Sequence, residues 1–362
     1  MKRDNIHYSF RSINGYPQPF KFVISPREPG KTTAGVWEIM HKNYLKGGIT
    51  ILLMRNNVDI TEGYIYSIQE NNNKFDDAPK LKLSWKADEL KGGIVHIYNE
   101  DSTSGEKRLF AVCVSLSTKN SIRKRLQYPN AKAMIMDEFI CDLSVGEKYL
   151  KGEYARFLET YNTFNREYRN KNGEKASMPV YFLGNPYSLY NPYFVGLKVN
   201  TRLLHPGAII SGPNYVIQCY QLTEELKQLI LKSNPLYQFD DSYTRYAFNG
   251  MAVQDEKIPL CETLPKNYSL KFIFKIENKY IECYRGDTFD TVLFWWIRLC
   301  DNSSSNKIAY CFDYEELVAR CALISLQDRK LFTNLKTAIK YRRIDFNCIE
   351  CYYLFKEIYL NI

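Results

Sequence analysis

Histidine is scarce in this chain of 362 residues: His7, His41, His96 and His205 are the only four. None lies near Cys348 and Cys351, which form the single C-x-x-C among ten irregularly spaced cysteines. A structural zinc site needs a second thiolate pair or imidazoles at suitable spacing. The pair therefore reads as buried free thiols on an apolar C-terminal helix face, in a reducing cytosol. No uninterrupted run of 18 apolar residues occurs, which argues against a transmembrane helix and a membrane role. The first seven residues lack the apolar core of a signal peptide. Internal repeats and long low-complexity segments are also missing. What is present is ordinary for a globular chain: 45% hydrophobic and 25% charged residues. At about 150 residues per domain, the length suggests two or three domains.

The charge excess is modest, 49 Lys and Arg against 40 Asp and Glu, and it is uneven. Residues 1–250 hold 33 basic against 25 acidic side chains, whereas the remainder holds 16 against 15. An anionic partner is thus expected at the front of the chain. The densest basic run contains Lys119, Arg123, Lys124 and Arg125, which reads either as a DNA-binding segment or as a solvated face.

The first half alternates strand-like and helix-like stretches. Apolar runs at 19–25, 48–55, 131–136 and 178–183 suit buried parallel strands, with helices at 31–45, 59–69 and 153–168. Residues 81–85, 93–98 and 109–116 suggest a β insertion. The expected fold class is α/β, with a parallel sheet covered on both faces. Pro/Gly punctuation over 206–250 suggests a small linker or lid domain containing a helix at 223–232. Beyond it, strands are expected at 270–276, 280–284, 291–299 and 307–312, then helices at 314–323, 329–341 and 346–359.

The strongest local signal is Ser25-Pro26-Arg27-Glu28-Pro29-Gly30-Lys31-Thr32, between the first strand and a helix. It fits G-x-x-x-x-G-K-[ST] except that Ser25 replaces the first glycine. Backbone N–H groups at such a loop cradle phosphate oxygens. Gly30 permits close approach, Lys31 reaches the β- and γ-phosphates of ATP, and Thr32 offers a hydroxyl to Mg²⁺. The expected nucleotide-binding set is Arg27, Glu28, Pro29, Gly30, Lys31, Thr32 and Thr33. A second signal is the apolar strand ending in Asp137-Glu138. If it neighbours the first strand, Asp137 falls beside the loop and joins Thr32 in holding Mg²⁺. Glu138, one residue on, then serves as the base that activates water. Asn185, after the third apolar strand, reads either as a γ-phosphate sensor or as a turn-forming residue before Pro186. Together these features describe a P-loop ATPase with an additional catalytic glutamate, of the ASCE class.

Phe22-Val23-Ile24 before the loop, Tyr128-Pro129-Asn130, Asp137-Glu138-Phe139-Ile140, and Gly184-Asn185 followed by Asn191-Pro192-Tyr193-Phe194 carry a further likeness. The chain resembles the DNA-encapsidation (packaging) ATPases of small protein-primed podophages, ring motors related to terminase large subunits. The resemblance implies ATP-driven translocation of double-stranded viral DNA by a homo-oligomer, a pentameric ring, docked on the portal of the procapsid in the host cytoplasm. It also implies a genome capped by terminal protein and, in some members, a packaging RNA. By the same resemblance Arg27 matches a loop arginine and Asn185 the motif coupling hydrolysis to movement. Arg166 matches the catalytic arginine supplied in trans, with Arg169 as runner-up, and Lys124 falls near a basic pore residue. The domains implied are an ATPase over 1–205, a linker over 206–250 and a vestigial RNase H-like nuclease domain over 251–362. The strand at 270–276 carries lysines and no carboxylate, so a working two-metal nuclease is not expected. Asp287, Asp290, Asp301 and Asp313 read as loop acids. Lys336, Lys340, Arg342 and Arg343 make a basic patch that could meet RNA, DNA or the portal. Competing functions are a helicase or partition ATPase, and a scaffold that binds ATP without working on DNA.

Overall fold

The apolar runs form the buried centre of a sheet in the computed structural model. The structure describes residues 7–361 except 75–78, 88–92, 102–103, 120–125, 171, 235–243, 246–247, 251, 253–257, 277, 287–293, 304, 313–316, 326–327 and 342. Arg123, Lys124, Arg125, Asp287, Asp290, Asp313 and Arg342 therefore lie outside the described residues. The chain divides into two compact units, Met1–Val253 and Gln254–Ile362.

In the first unit the strands are β1 (Phe20–Ile24), β2 (Ile49–Met54), β3 (Leu83–Ala87), β4 (Ile94–Glu100), β5 (Lys107–Ser115), β6 (Ala131–Asp137), β7 (Val180–Gly184), β8 (Ile209–Ser211) and β9 (Tyr215–Cys219). They make one nine-stranded sheet in the order β3-β4-β5-β2-β6-β7-β1-β9-β8. The six strands from β5 to β9 in that order are mutually parallel. The outer β3 and β4 form the β insertion, pairing antiparallel. Every residue of β1, β2 and β7 is buried, because apolar side chains pack on both faces of the sheet.

The helices of this unit are α1 (Arg11–Asn14), α2 (Lys31–Ala34), α3 (Lys42–Leu45), α4 (Glu62–Asn73), α5 (Glu153–Asn165), α6 (Pro192–Gly196) and α7 (Glu224–Ser233). The helix expected over 31–45 is continuous but changes pitch, with a π-helical stretch at Gly35–His41 between α2 and α3. Thr61 and Thr223 cap α4 and α7 with their side chains, satisfying N–H groups that the first turn leaves unpaired. Helix α5 buries Phe157, Tyr161 and Phe164 at helical spacing and stops at Asn165, with Arg166 as its C-cap.

Two expectations change here. The acid-bearing β6 does not neighbour β1, because β7 lies between them. The register pairs Ile24 with Gly184 and Asp137 with Leu183, so all three strand ends stand level. That inserted strand is the additional one of an ASCE sheet. Residues 209–219, expected in a linker domain, instead add β8 and β9 to the large sheet. The Gly212-Pro213 punctuation that suggested a boundary is the turn of the β8–β9 hairpin.

The second unit has β10 (Tyr268–Ile276), β11 (Lys279–Gly286), β12 (Trp295–Cys300), β13 (Ala309–Cys311), β14 (Cys321–Leu323) and β15 (Ile344–Phe346), in the order β14-β13-β10-β11-β12-β15. The first three form an antiparallel meander, while β13 runs parallel to β10 and β14 to β13. Helices α8 (Thr333–Lys340) and α9 (Ile349–Asn361) follow, and Phe274, Trp295, Phe332, Phe346 and Phe355 fill the core. The helix expected over 314–323 is not found in the described part of that stretch. Cys321–Leu323 pairs with β13 instead, a ladder outweighing weak local helix propensity. Cys351 is buried in this core and Cys348 half-buried, with both thiols pushed up mainly by desolvation. Among the described residues no helix is long and apolar enough to cross a membrane.

Candidate nucleotide site

The carboxyl edge of a parallel sheet is where ligands gather, since loops there leave N–H groups and side chains unpaired. Three strand ends supply this site. After β1, Ser25 is fully buried and its N–H donates to the Gly184 carbonyl at 3.1 Å. The serine in place of glycine is thus accommodated inside the sheet edge, with its hydroxyl donating to the Pro26 carbonyl at 2.9 Å. The loop turns through two left-handed residues, Glu28 at φ 69° and Gly30 at φ 86°. Gly30 sits as the N-cap of α2, where a side chain would be strained whatever the space around it. The Pro29 carbonyl accepts from Tyr8 N–H at 2.8 Å, so the segment before α1 braces the loop. Arg27 and Glu28 are exposed, and Arg27 donates to the Tyr187 hydroxyl at 2.9 Å.

Four sequence-derived residues meet at the centre. Lys31 Nζ donates to Asn185 Oδ1 at 2.6 Å, and Thr32 Oγ1 donates to Asp137 Oδ2 at 2.9 Å. The inserted β7 makes the first contact possible, because Asn185 follows the strand that lies between loop and acids. Thr33 turns its hydroxyl away, to Asn71 of α4 at 2.9 Å, and so ties the loop helix to α4. Glu138 stands outside the strand in a left-handed conformation, φ 55°, exposed to solvent.

Desolvation dominates the electrostatics. It lowers Lys31 to about 8, against the pull of Asp137 and Glu138. It raises Asp137, opposed by Lys31 and by the Thr32 hydrogen bond. It also raises Glu138, reinforced by the negative charges of Asp137 and Glu147. Two carboxylates thus stand beside one buried ammonium, an arrangement that a divalent cation would complete. The donor set fits Mg²⁺. Thr32 and Asp137 present two hard oxygens 2.9 Å apart, the spacing of adjacent ligands on an octahedral ion. Among the described residues no cluster of three or more His, Cys, Asp or Glu could hold a metal by itself.

Several neighbours of the site carried no assigned role in the sequence reading. Tyr64 of α4 has its phenol raised by burial and by the charge of Asp137 and Glu138. Arg55, directly after β2, reaches under the acidic turn. Its Nη2 donates to the Phe139 carbonyl at 2.9 Å and its Nε to Glu153 at 3.0 and 3.2 Å. The one available signal was position: Arg55 ends an apolar strand on the edge where ligands bind.

No family model matches the chain, and no curated protein matches it by sequence. Solved structures do. A chain of the bacteriophage Phi-29 viral genome packaging motor assembly superimposes with TM-score 0.68 at 16% identity, covering 98% of this chain and 99% of that one. The gp11 DNA packaging motor of phage Phi-28 gives TM-score 0.61 at 16% identity, covering 98% of each chain. This chain has the fold of the phage packaging motors. The likeness spans both units, so the second unit belongs to the shared fold as much as the P-loop unit does.

Of the other residues singled out in the sequence, Arg166 is exposed at the end of α5. Arg169 is exposed as well, beside its bridge to Lys175. Lys119 is exposed after β5, at the border of the stretch that holds Arg123, Lys124 and Arg125.

Proposed function

We propose that this chain is the ATP-hydrolysing subunit of a viral DNA packaging motor. In this reading a homomeric, pentameric ring drives double-stranded phage DNA through the portal into the procapsid. The observation that carries it is the meeting of Lys31 with Asn185 and of Thr32 with Asp137 across three adjacent strand ends. The shared fold with motors described as DNA and viral genome packaging machines supports the direction of the work.

The chemistry follows from the geometry. Backbone N–H groups at Gly30 and α2 donate to the phosphate oxygens, and protonated Lys31 swings from Asn185 to the β- and γ-phosphate oxygens. Thr32 and Asp137 would hold Mg²⁺, which neutralises phosphate charge when bound. Glu138 accepts a proton from the attacking water. Asn185, relieved of Lys31, is then available to report the γ-phosphate and to pass that change into the segment leading to α6. In this reading Arg166 enters a neighbouring subunit's site, where a guanidinium fork neutralises charge developing on the transferred phosphoryl group; its exposure at the end of α5 supports the role.

The second unit reads as a vestigial RNase H-like domain, because an antiparallel meander is followed by two parallel strands on the side of its first strand. Its described residues hold no metal-binding carboxylate cluster. A terminal protein-capped genome of unit length requires no cutting, and a packaging RNA or the portal is the partner suited to Lys336, Lys340 and Arg343.

The test is ATP hydrolysis with and without double-stranded DNA, followed by nuclease protection of DNA in procapsids. A motor gives DNA-stimulated turnover and ATP-dependent protection. A nucleotide-gated scaffold binds ATP and gives neither.

A further inference from the structure

We infer that Asn71, Asn72 and Asn73, which close α4, form a post that positions the phosphate-loop helix and ties it to the start of edge strand β3. The inference rests on the nucleotide reading for what the helix binds, and on geometry for the post. Three consecutive asparagines suit the last turn of a helix poorly, since their side chains compete for nearby backbone groups. Here all three turn outwards to other segments. Asn71 Oδ1 accepts the Thr33 hydroxyl at 2.9 Å, near the start of the loop helix. Asn72, with no exposed surface, meets His41 Nδ1 at the far end of the π-helical stretch. Its Nδ2 donates to Asn73 Oδ1 and to the Pro79 carbonyl, each at 3.0 Å. Both amide hydrogens are thereby used, so Oδ1 faces the imidazole and His41 Nδ1 carries the donated proton.

Two neighbouring amides thus grip one helix at Thr33 and at His41. Between these points lies Gly35–His41, whose wider turns take in an extra residue. Expelling that residue would rotate Lys31 and Thr32 by about 100° relative to His41, one residue's turn of an α-helix. The double grip therefore fixes the angle at which the loop residues face the strand ends. The other side of the post meets the sheet edge. Asn73 pairs with Leu81 as a strand would: Nδ2 donates to the Leu81 carbonyl at 3.0 Å, and Oδ1 accepts the Leu81 N–H at 2.9 Å. One turn back in α4, Gln69 Oε1 accepts the Leu83 N–H at 2.7 Å. Leu83 opens β3, which has β4 as its one strand neighbour. Side-chain amides of α4 stand in for the second neighbour, so the phosphate-loop helix and the β3 edge are held by one end of one helix.

Asn71→Ala removes the front grip and leaves the half-buried Thr33 hydroxyl to water. His41→Leu removes the rear grip, and His41→Asn returns a donor to the place of Nδ1. The expected result is a Kd for an ATP analogue raised about tenfold in Asn71→Ala and in His41→Leu, through loss of phosphate contacts. Turnover at saturating ATP should stay within about twofold of wild type, because binding and not chemistry has been disturbed. His41→Asn should bind like wild type, a rescue that lost packing alone does not give. Asn71→Ala, at a half-buried position, carries the test if His41→Leu does not fold. Wild-type affinity in Asn71→Ala would overturn the positioning role. Hydrogen exchange reads the post without nucleotide. The Leu81 and Leu83 amides, bonded to neither substituted side chain, should exchange about tenfold faster in both variants, with the Val216 and Ile217 amides of β9 unchanged. Unchanged exchange at Leu81 and Leu83 would overturn the tie to β3. A wild-type protein with no affinity for ATP would sink the nucleotide reading, while exchange still decides the post.

Discussion

Both units place a carboxylate at or within a sheet, and they treat it in opposite ways. In the second unit Glu282 of β11 is buried to 1% exposure and held by three donors. It accepts from Arg298 at 2.9 Å, from the Tyr284 hydroxyl at 2.7 Å and from the Ser303 hydroxyl at 2.6 Å. In the first unit Asp137 receives one hydroxyl and one backbone N–H, and Glu138 stands at the open end of its strand. A buried carboxylate held by three donors ties a sheet together. A partly desolvated one with open lone pairs is ready to take a metal or a proton. The difference lies in what surrounds the acid, not in the acid.

Five experiments sharpen or break this contrast. The largest effect is expected from Arg166→Ala, with turnover lower by about 10³–10⁵ while ATP binding and assembly persist. Mixing it with Glu138→Gln under subunit exchange should return activity, since intact Arg166 then meets intact Glu138. Two dead proteins that stay dead when mixed would shift the role to Arg169 or to donation within one subunit. Next, Glu138→Gln should lower kcat by roughly 10²–10⁴ and leave nucleotide affinity intact. Lys31→Ala should instead lose binding itself, as measured by titration with a fluorescent ATP analogue.

Glu282→Gln probes the occupied acid. It should cost about 1–3 kcal/mol in thermal unfolding, by weakening charge-assisted hydrogen bonds, with basal ATP turnover unchanged. A loss of turnover at constant stability would mean that Glu282 is not merely structural. The smallest effect concerns pH. Lys31 titrates at about 8 in the free protein, and bound phosphate favours its charged form. As pH rises through that value the free protein loses the proton that binding needs. ATP affinity should then weaken by up to about tenfold per pH unit. A pH-independent affinity between 7 and 9 would show that Lys31 is charged throughout. The same lowered value means that charging Lys31 in the folded protein is disfavoured. Stability is therefore lost as pH falls from 10.5, where the unfolded chain takes up the proton, to about 8, below which no more is lost.

Chemistry-bearing residues were legible wherever they sat next to a strong periodic signal. Lys31 and Thr32 follow an apolar strand and open a helix; Asp137 and Glu138 end another. Arg55 was not legible, because an arginine after a strand has many uses and its two carbonyl partners lie more than eighty residues away. Glu153 reads as an ordinary first-turn acid on α5, and only the fold shows it buried beneath the site. The hairpin at 209–219 was misread for a related reason. Pro and Gly mark a turn equally well at a domain boundary and inside a sheet, and only pairing partners distinguish the two.

By itself the sequence determined the residue types and their local frames: a phosphate loop between strand and helix, a carboxylate pair at a strand end, and an amide after a third strand. Those follow from short-range periodicity and turn chemistry, which need no distant partner. Strand order was decided only in three dimensions. It put β7 between the loop and the acids, set Asn185 against Lys31, and let Arg55 reach the Glu138 turn. Each of these contacts joins residues far apart in the chain. Hydrogen bonding between strands, and the burial that drives it, alone determines which of them become neighbours.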